Sequence, residues 1–289
     1  MIAVLHLGSL DYHTAFELQK SLVALRQQKR ISDVLLLLEH SPVITLGRNA
    51  SEKNLLVSST LLEQRGVELY ESNRGGDITF HGPGQLVGYP IFDLRGFSPR
   101  IGAVEFVRRI EEVLIRTCGD LGIPCGRICG LTGVWTHVDD MDDVDSCSSP
   151  GKAFGADPEK DTKKIAAIGV HISRGVTSHG FALNVTTDLD YFKLIVPCGI
   201  SDRPVTSIEQ EIRDRPVPSM EQVAHSVSLY FGRVFERQML WLDSLDRLLE
   251  TQDNGTTIGV PLQVPHDVQE LRRQQNAPAL TGPDDVFRA

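Results

Sequence analysis

The chain has 289 residues, of which 41% are hydrophobic and 23% are charged, and its formal net charge is -9. These proportions are typical of a soluble globular protein, and the length suffices for one large domain or two modest ones. The negative charge argues against a general nucleic-acid-binding protein, which usually presents a basic face. No apolar run reaches the roughly 20 residues that span a membrane. The first residues, MIAVLHLG, predict a strand and not a basic leader.

Five cysteines stand at positions 118, 125, 129, 147 and 198. An odd number without a secretory signal favours a reducing compartment, in which cysteines stay free or take part in chemistry. Cys125 and Cys129 are close enough to suggest a metal pair, but no second pair with matching spacing follows. We therefore predict no metal site, and we interpret Cys118, Cys125, Cys129 and Cys147 as thiols of the core or of loops.

The predicted elements begin with the strand MIAVLHLG and a helix from residue 11 to about residue 30. Five consecutive apolar residues, 34–38, predict a strand that is buried on both faces. A short helix over residues 61–66 precedes the stretch RGGDITFHGPGQLVGYP, which interrupts strand-forming residues with glycine and proline. Glycine lets the backbone approach a ligand. We interpret this stretch as strand, tight loop and strand, shaped around a bound molecule.

The second half of the chain contains a predicted helix over residues 102–121 and a strand in GVWTHV. Residues 139–162 are acidic and polar and predict a mobile insertion, either passive or regulating access. A strand hairpin follows in KIAAIGVHISRGVTSHGFALNV, and a helix begins at Ser219, with Gln222 completing a capping box. Residues 251–289 predict a poorly ordered tail. Irregularly interleaved strands and helices predict one α+β domain over residues 1–250, a mixed sheet packed by helices.

Cys198 is the strongest candidate nucleophile in the chain. It stands in IVPCGI between Pro197 and Gly199, which restrict the backbone before it and free the backbone after it. A thiol on such a turn can present its sulfur and a following backbone N–H to one small volume, as acyl transfer requires. An inert buried cysteine near a strand end is the alternative, and the local sequence leaves both open.

A cysteine nucleophile needs a base or a cation to form a thiolate at neutral pH. His81 in its glycine loop, His171 and His179 on the later hairpin, and the pair Lys163–Lys164 are the candidates. Each also has an ordinary structural interpretation. Adjacent residues of a strand point to opposite faces, so at most one of the two lysines faces inward.

Three further residues carry weaker indications. Gly180 lies within strand material, where a ligand could approach the backbone. The side-chain amide of Asn184 could tie loops together. Arg74 could bind a polar ligand or pair with a surface acid.

Several blocks of the sequence together resemble the lipoyl(octanoyl) transferases. In order they are RGGDITFHGPGQLVGYPIFDL, GVW, KIAAIGVHISRGVTSHGFALNV, YFKLIVPCGI and VTSIEQE. The resemblance runs from about residue 8 to residue 212 and is interrupted by the acidic segment. The blocks RGGDITFHGP and TSHGFALN are more similar to eukaryotic than to bacterial members. The resemblance therefore favours a mitochondrial location, with the cytoplasm as the location of a bacterial member.

The resemblance implies a reaction in two steps. An octanoyl group arrives as a thioester on acyl carrier protein, moves to an active-site cysteine, and then moves to a specific lysine of a lipoyl domain. The implied acceptors are the lipoyl domains of 2-oxoacid dehydrogenase complexes and the glycine cleavage H protein. No ATP or other cofactor is implied, since a thioester is already activated. The implied fold is the mixed-sheet one of lipoate and biotin protein ligases.

The resemblance also assigns roles to residues of this sequence. Cys198 becomes the acyl-thioester nucleophile, and Lys164 becomes the acid/base that activates its thiol. The implied substrate site is formed by three segments: Arg74, Gly75, Gly76, Asp77, Ile78, Thr79, Phe80 and His81; Ala167, Ile168 and Gly169; and Gly180, Phe181 and Ala182.

Three rival interpretations stay open. An ATP-dependent lipoate or biotin ligase would need ATP for transfer, although the sequence contains no P-loop. A hydrolase using Cys198 with His81 or His171 would release free fatty acid when no acceptor lysine is present. A non-catalytic protein could keep the fold in order to bind a lipoyl domain, but the presence of both Cys198 and Lys164 speaks against it.

Overall fold

The computed structural model describes residues 1–137, 162–197, 203–213 and 215–250. The predicted acidic insertion, apart from Thr162, lies outside these residues, as do the predicted tail and Cys198. The strands are β1 (Ile2–Leu10), β2 (Asp33–His40), β3 (Val43–Leu46), β4 (Glu68–Glu71), β5 (Ile78–His81), β6 (Gln85–Ile91), β7 (Cys125–Ile128), β8 (Leu131–Thr136), β9 (Lys164–Ser173), β10 (Val176–Asn184) and β11 (Met239–Trp241). The helices are α1 (Tyr12–Gln27), α2 (Ser59–Gln64), α3 (Ala103–Asp120), α4 (Ile208–Ile212), α5 (Met220–Val234) and α6 (Leu245–Glu250).

The larger of two sheets has eight strands in the order β11-β1-β2-β6-β10-β9-β8-β7. The pairs β11–β1 and β1–β2 are parallel, and the remaining pairs are antiparallel. Helices α3 and α5 pack on one face of this sheet, while α1 and α6 pack on the other. The sheet is therefore mixed and packed by helices, which confirms the predicted α+β class.

Strand β2 is buried on both faces, as its run of apolar residues predicts. Leu35 and Leu37 join the cluster beneath α3 and α5. Val34, Leu36 and Leu38 join the cluster beneath α1 and α6. Because consecutive strand residues alternate between faces, only a strand that is apolar at every position can fill both cores.

A second sheet has three strands in the order β4-β3-β5. Its core consists of Ile44, Ile78, Phe80 and Leu62 of α2, covered by a 3₁₀ helix, Leu189–Leu194. The chain leaves this sheet at His81 and enters the larger one at Gln85. The predicted strand, tight loop and strand are thus present, but the loop joins two sheets and does not close a hairpin.

The cysteines differ from the expectation at one position. Cys118 and Cys125 are free and buried. Cys129, however, is disulfide-bonded and is not the free thiol that its sequence context suggests. Among the described residues, no helix combines the length and the hydropathy that a membrane crossing requires.

Candidate active site

A cavity of about 230 Å³ opens where the two sheets meet. Residues of all three predicted segments line it: Arg74, Gly76, Asp77, Thr79 and His81; Ala167, Ile168 and Gly169; and Gly180, Phe181 and Ala182. Lys164 lines it as well, together with Tyr12, Val87, Tyr89, Gly130, Leu131, Thr132 and His179. The cavity thus has an apolar wall and a polar end, which suits a small ligand that has both kinds of group.

The alternation of β5 decides which of its residues reach the cavity. Thr79 and His81 line it. Ile78 and Phe80 point the other way, into the core of the small sheet, where the Phe80 ring stacks on Tyr191 at 4.7 Å. Gly75, also a predicted substrate-site residue, instead donates its N–H to the carbonyl of Val170 on β9, at 3.0 Å. Ile78, Phe80 and Gly75 therefore do not line the cavity, but they hold the segments that do.

Lys164 begins β9 and is buried, whereas Lys163 beside it is half-buried and pairs with Glu211. The Lys164 ammonium nitrogen lies 5.3 Å from the centre of the Trp135 ring. Such a contact between a cation and an indole face is attractive. The expectation that at most one of the two lysines faces inward is confirmed.

Gly133 makes room for the Lys164 side chain. A Cβ atom on this glycine would lie 2.7 Å from Cε of Lys164 and 2.7 Å from the Ala166 carbonyl oxygen. Its φ of +129° is also a conformation that other residues rarely adopt. The carboxylate of Glu111, fully buried in α3, accepts from the Gly133 N–H at 3.1 Å and holds this part of β8 in place.

The chain on either side of Cys198 is anchored near Lys164. Before it, the Val196 N–H donates to the Asn54 carbonyl at 2.8 Å. After it, the Lys164 N–H donates to the Pro204 carbonyl and the Thr206 N–H to the Lys164 carbonyl, both at 2.9 Å. Lys164 and Pro197 also line one small cavity of about 10 Å³, room for roughly one water molecule. Cys198 follows Pro197 directly and lies outside the described residues.

Arg74 and Asp77 shape the polar end through their contacts with protein groups. The Arg74 guanidinium donates from Nε to the Thr45 hydroxyl at 3.0 Å and from Nη2 to the Thr45 carbonyl at 2.6 Å. The Asp77 carboxylate accepts from the N–H groups of Ser51 and Ile78, at 3.1 and 2.8 Å. Both residues therefore fix the loop between β4 and β5 against the small sheet.

Three buried histidines surround the same end of the cavity. Burial lowers the pKa of His40 to about 4 and that of His179 to about 3. Burial, together with His40 and Arg74, holds the pKa of His81 well below its usual range. All three imidazoles are therefore neutral at pH 7. Burial also raises the pKa of the Tyr89 hydroxyl well above its ordinary value, so Tyr89 is neutral as well.

Tyr12 and Tyr89 are not among the residues predicted for the site, and His179 is predicted there only as a possible base. The side-chain oxygen Oε1 of Gln19 accepts from the backbone N–H of His179 at 2.8 Å, which helps to hold His179 at a φ of +55°. A strained residue next to Gly180 within a strand is a local signal of a site. Tyr12 follows the N-cap Asp11 of α1 and carries no comparable signal.

Comparison with known proteins identifies close relatives. The lipoyl protein ligase A/B catalytic domain family matches residues 11–232. An octanoyltransferase of Koribacter versatilis is 57% identical and covers 94% of this chain and 97% of its own length. One of Acidobacterium capsulatum is 56% identical over 86% of this chain and 96% of its own. Both relatives are bacterial and do not support the expected mitochondrial location.

Solved structures share the fold at low sequence identity. A bipartite lipoate protein ligase from Thermoplasma acidophilum aligns with a TM-score of 0.59 at 16% identity, covering 87% of this chain and 91% of that one. A lipoate-protein ligase A bound with ATP aligns with a TM-score of 0.58 at 16% identity, covering 87% and 94%. Since the family match spans most of the chain and the relatives are more than half identical, the chain belongs to the octanoyltransferases of the lipoyl protein ligase A/B catalytic domain family.

Proposed function

We propose that this protein takes an octanoyl group from acyl carrier protein onto Cys198 and passes it to a specific lysine of a lipoyl domain, with Lys164 as the acid/base. One observation carries the proposal. Buried Lys164 lines both the main cavity and the small cavity that Pro197, the residue before Cys198, also lines. A cation beside a thiol favours the thiolate.

The proposed chemistry consists of two displacements at one carbonyl carbon. The Cys198 thiolate attacks the thioester of the carrier; a new C–S bond forms, the old one breaks, and the Lys164 ammonium gives its proton to the departing thiolate and becomes neutral. The acceptor amine then attacks the acyl-enzyme; a C–N bond forms and the bond to Cys198 breaks. Lys164 takes the proton that the nitrogen loses, which restores the starting ion pair.

The apolar wall of the cavity supports an acyl substrate. Val87, Ile168 and Phe181 supply its larger apolar side chains. Burial of one CH₂ group contributes ~0.8 kcal/mol, so a seven-carbon tail would contribute on the order of 5 kcal/mol. A chain shorter by two carbons would then bind about tenfold more weakly.

The remaining proposals concern partners and organisation. The acceptors would be lipoyl domains of 2-oxoacid dehydrogenase complexes and the glycine cleavage H protein. The bacterial relatives support the cytoplasm as the location. Residues 1–250 would form the catalytic unit, and the acidic segment 139–162 would be a passive insertion.

Intact mass spectrometry tests the covalent half of the proposal. The protein is mixed with octanoyl-acyl carrier protein without ATP and without acceptor. We expect one octanoyl adduct, removed by hydroxylamine, absent from Cys198→Ser, and emptied when a lipoyl domain is added. Free octanoate without an adduct would favour a hydrolase. Transfer that appears only with ATP would favour a ligase, and either result would overturn the proposal.

Lys164→Ala tests the assigned acid/base. We expect acyl-enzyme formation to slow by about 10²-fold or more, and alkylation of Cys198 to require a higher pH. Lys163→Ala is the matched control, because it removes the neighbouring cation, which pairs with Glu211 and does not line the cavity. Equal effects of the two substitutions would contradict the role of Lys164.

A further inference from the structure

A chain of buried side-chain hydrogen bonds leads from the main chain beside Lys164 to His81. Asn184 Nδ2 donates to the Thr206 carbonyl at 2.8 Å, and the Thr206 N–H in turn donates to the Lys164 carbonyl. Gln85 Nε2 lies 2.9 Å from Asn184 Oδ1, and Gln85 Oε1 lies 2.7 Å from His81 Nδ1. Gln85, Asn184 and Thr206 are at most 4% exposed.

The two ends of this chain fix the direction of every hydrogen bond in it. The Thr206 carbonyl can only accept, so the Asn184 amide must turn its nitrogen toward Thr206 and its oxygen toward Gln85. The Phe80 carbonyl, 3.2 Å from Gln85 Nε2, independently requires the same orientation of Gln85. The oxygen of Gln85 therefore faces His81. Only a protonated Nδ1 of His81 can satisfy it.

The opposite nitrogen of His81 is then defined as well. Burial beside His40 and Arg74 disfavours the imidazolium form, so the ring is neutral and carries its single proton on Nδ1. Nε2 must bear a lone pair. His81 lines the main cavity, and within the described parts of the chain no hydrogen-bond partner of Nε2 is present.

Two neighbouring groups at this end of the cavity, His40 and Asp77, already have hydrogen-bond partners. His40 Nδ1 lies 3.0 Å from the Leu10 carbonyl and must donate to it, so His40 Nε2 accepts from the Tyr89 hydroxyl at 2.6 Å. The Asp77 carboxylate accepts from the main chain of Ser51 and Ile78 and from the side chain of Asn54. His81 Nε2, by contrast, is an acceptor on a residue that lines the cavity.

We propose that Gln85 and Asn184 hold His81 in the tautomer with a bare Nε2, and that this nitrogen accepts a hydrogen bond from an N–H of the attacking amine. The inference rests on the proposed function. The octanoyl chain and its thioester group carry no N–H or O–H, whereas the attacking amine does. An amide N–H of the carrier's prosthetic arm would contact His81 only during the first step, so its loss would slow acyl-enzyme formation instead. One hydrogen bond to His81 orients the amine nitrogen; His81 takes no proton, and Lys164 receives it as before.

The tautomer can be measured directly in the unsubstituted protein. Long-range ¹H–¹⁵N correlation spectra of protein labelled at histidine distinguish a protonated from a bare ring nitrogen, and the signals missing in His81→Gln assign the residue. We expect protonated Nδ1 and bare Nε2, unchanged from pH 7.5 to pH 6. A protonated Nε2 or an imidazolium in this range would overturn the inference.

The role toward the amine requires the two half-reactions to be timed separately. In His81→Leu, octanoyl transfer from preloaded enzyme to a lipoyl domain should slow by about tenfold, the loss expected for one hydrogen bond. Formation of the acyl-enzyme should change by less than about threefold, and His81→Gln should recover part of the transfer rate. Equal slowing of both steps would make His81 merely structural and would overturn the assigned role.

Gln85 and Asn184 are tested as positioning residues. Gln85→Leu removes the acceptor for His81 Nδ1 and should give a mixture of His81 tautomers. Asn184→Leu leaves only the Phe80 carbonyl to orient Gln85 and should give a smaller share of the second tautomer. Thr177→Val is the matched control, because Thr177 is a buried polar residue at the other end of β10 that bonds to Pro90. An unchanged His81 spectrum in both variants would show that Gln85 and Asn184 do not set the tautomer of His81. Failure of the unsubstituted enzyme to form an adduct would instead refute the proposed function.

Discussion

Lys164 depends on neighbours that carry no reactive group. Trp135 presents its ring to the ammonium, and Gly133 leaves the space through which the side chain passes. The sequence identified both GVW and Lys164, but as separate blocks. Their contact could not be predicted, because β8 and β9 pair with a register shift between Val134 and Trp135 that the side-chain pattern does not reveal.

Gly133→Ala should therefore lower the activity strongly, although the substitution adds only one methyl group. Its Cβ would press on Cε of Lys164 and on a backbone oxygen, in a backbone conformation that alanine resists. We expect acyl-enzyme formation to fall at least tenfold and the free energy of unfolding to drop by about 1–3 kcal/mol. Gly119→Ala in α3 is the control, since nothing lies within 4 Å of its added methyl. A Gly133→Ala enzyme with wild-type acylation would contradict this view of the site.

Elements with strong local signals agreed with the sequence, and elements defined by distant partners did not. The capping box at Ser219, the buried strand β2 and the hairpin β9–β10 all follow from neighbouring residues. The allocation of β5 and β6 to different sheets depends on pairing with β3 and β2, which no local pattern encodes. Val104, in the first turn of α3, is apolar and yet 75% exposed, because the buried stripe of that helix runs through Phe106 and Ile110.

The cap of α5 can be tested as an element. Ser219 accepts from the Gln222 N–H at 3.3 Å, and the Gln222 side chain accepts from the Ser219 N–H at 2.8 Å. Ser219→Ala should lower the free energy of unfolding by about 1 kcal/mol without changing acyl transfer. Ser219→Asp keeps an acceptor and should retain most of the stability. Urea denaturation of the unsubstituted protein and the two variants measures this difference. Equal denaturation midpoints would mean that the cap contributes nothing to stability.

At the scale of the whole molecule, a group of neutral histidines lies between the two sheets and α1. The rings of His40 and His81 are 5.8 Å apart, and Tyr12 of α1 stacks on His81 at 6.2 Å. These histidines lie in different segments of the sequence, which gives no indication that they come together. Their common burial is a product of the fold, and it links the stability of the protein to pH.

Stability should fall as the pH falls below about 6.5. Below this pH a histidine of the unfolded chain, with a pKa near 6.5, becomes protonated. His40 of the folded protein stays neutral at the same pH, because its pKa is about 4. The unfolded state then binds more protons than the folded state. Each such histidine therefore lowers the free energy of unfolding by at most about 1.4 kcal/mol for each pH unit below 6.5, and has no such effect above pH 6.5. Carboxylates with lowered pKa, such as Asp93 and Glu211, lose their contribution only at lower pH.

Urea unfolding at pH 7.5, 6.5 and 5.5 measures this slope. His40→Gln should reduce the slope between pH 6.5 and 5.5, even if its stability at pH 7.5 is also lower. His225→Gln, which removes an exposed imidazole from α5, is the control. A wild-type free energy of unfolding that is constant over this range would contradict the assignment.

The three-residue strand β11 has a further consequence for the large sheet. It pairs in parallel with Ile2, Ala3 and Val4 of β1, and the Ile2 N–H donates to the Gln238 carbonyl. Without it, β1 would become the edge of the sheet and offer an unpaired apolar strand to other molecules. By pairing with this edge, β11 should protect the protein against self-association. A chain shortened at residue 250 keeps that protection, whereas one that ends before Met239 loses it.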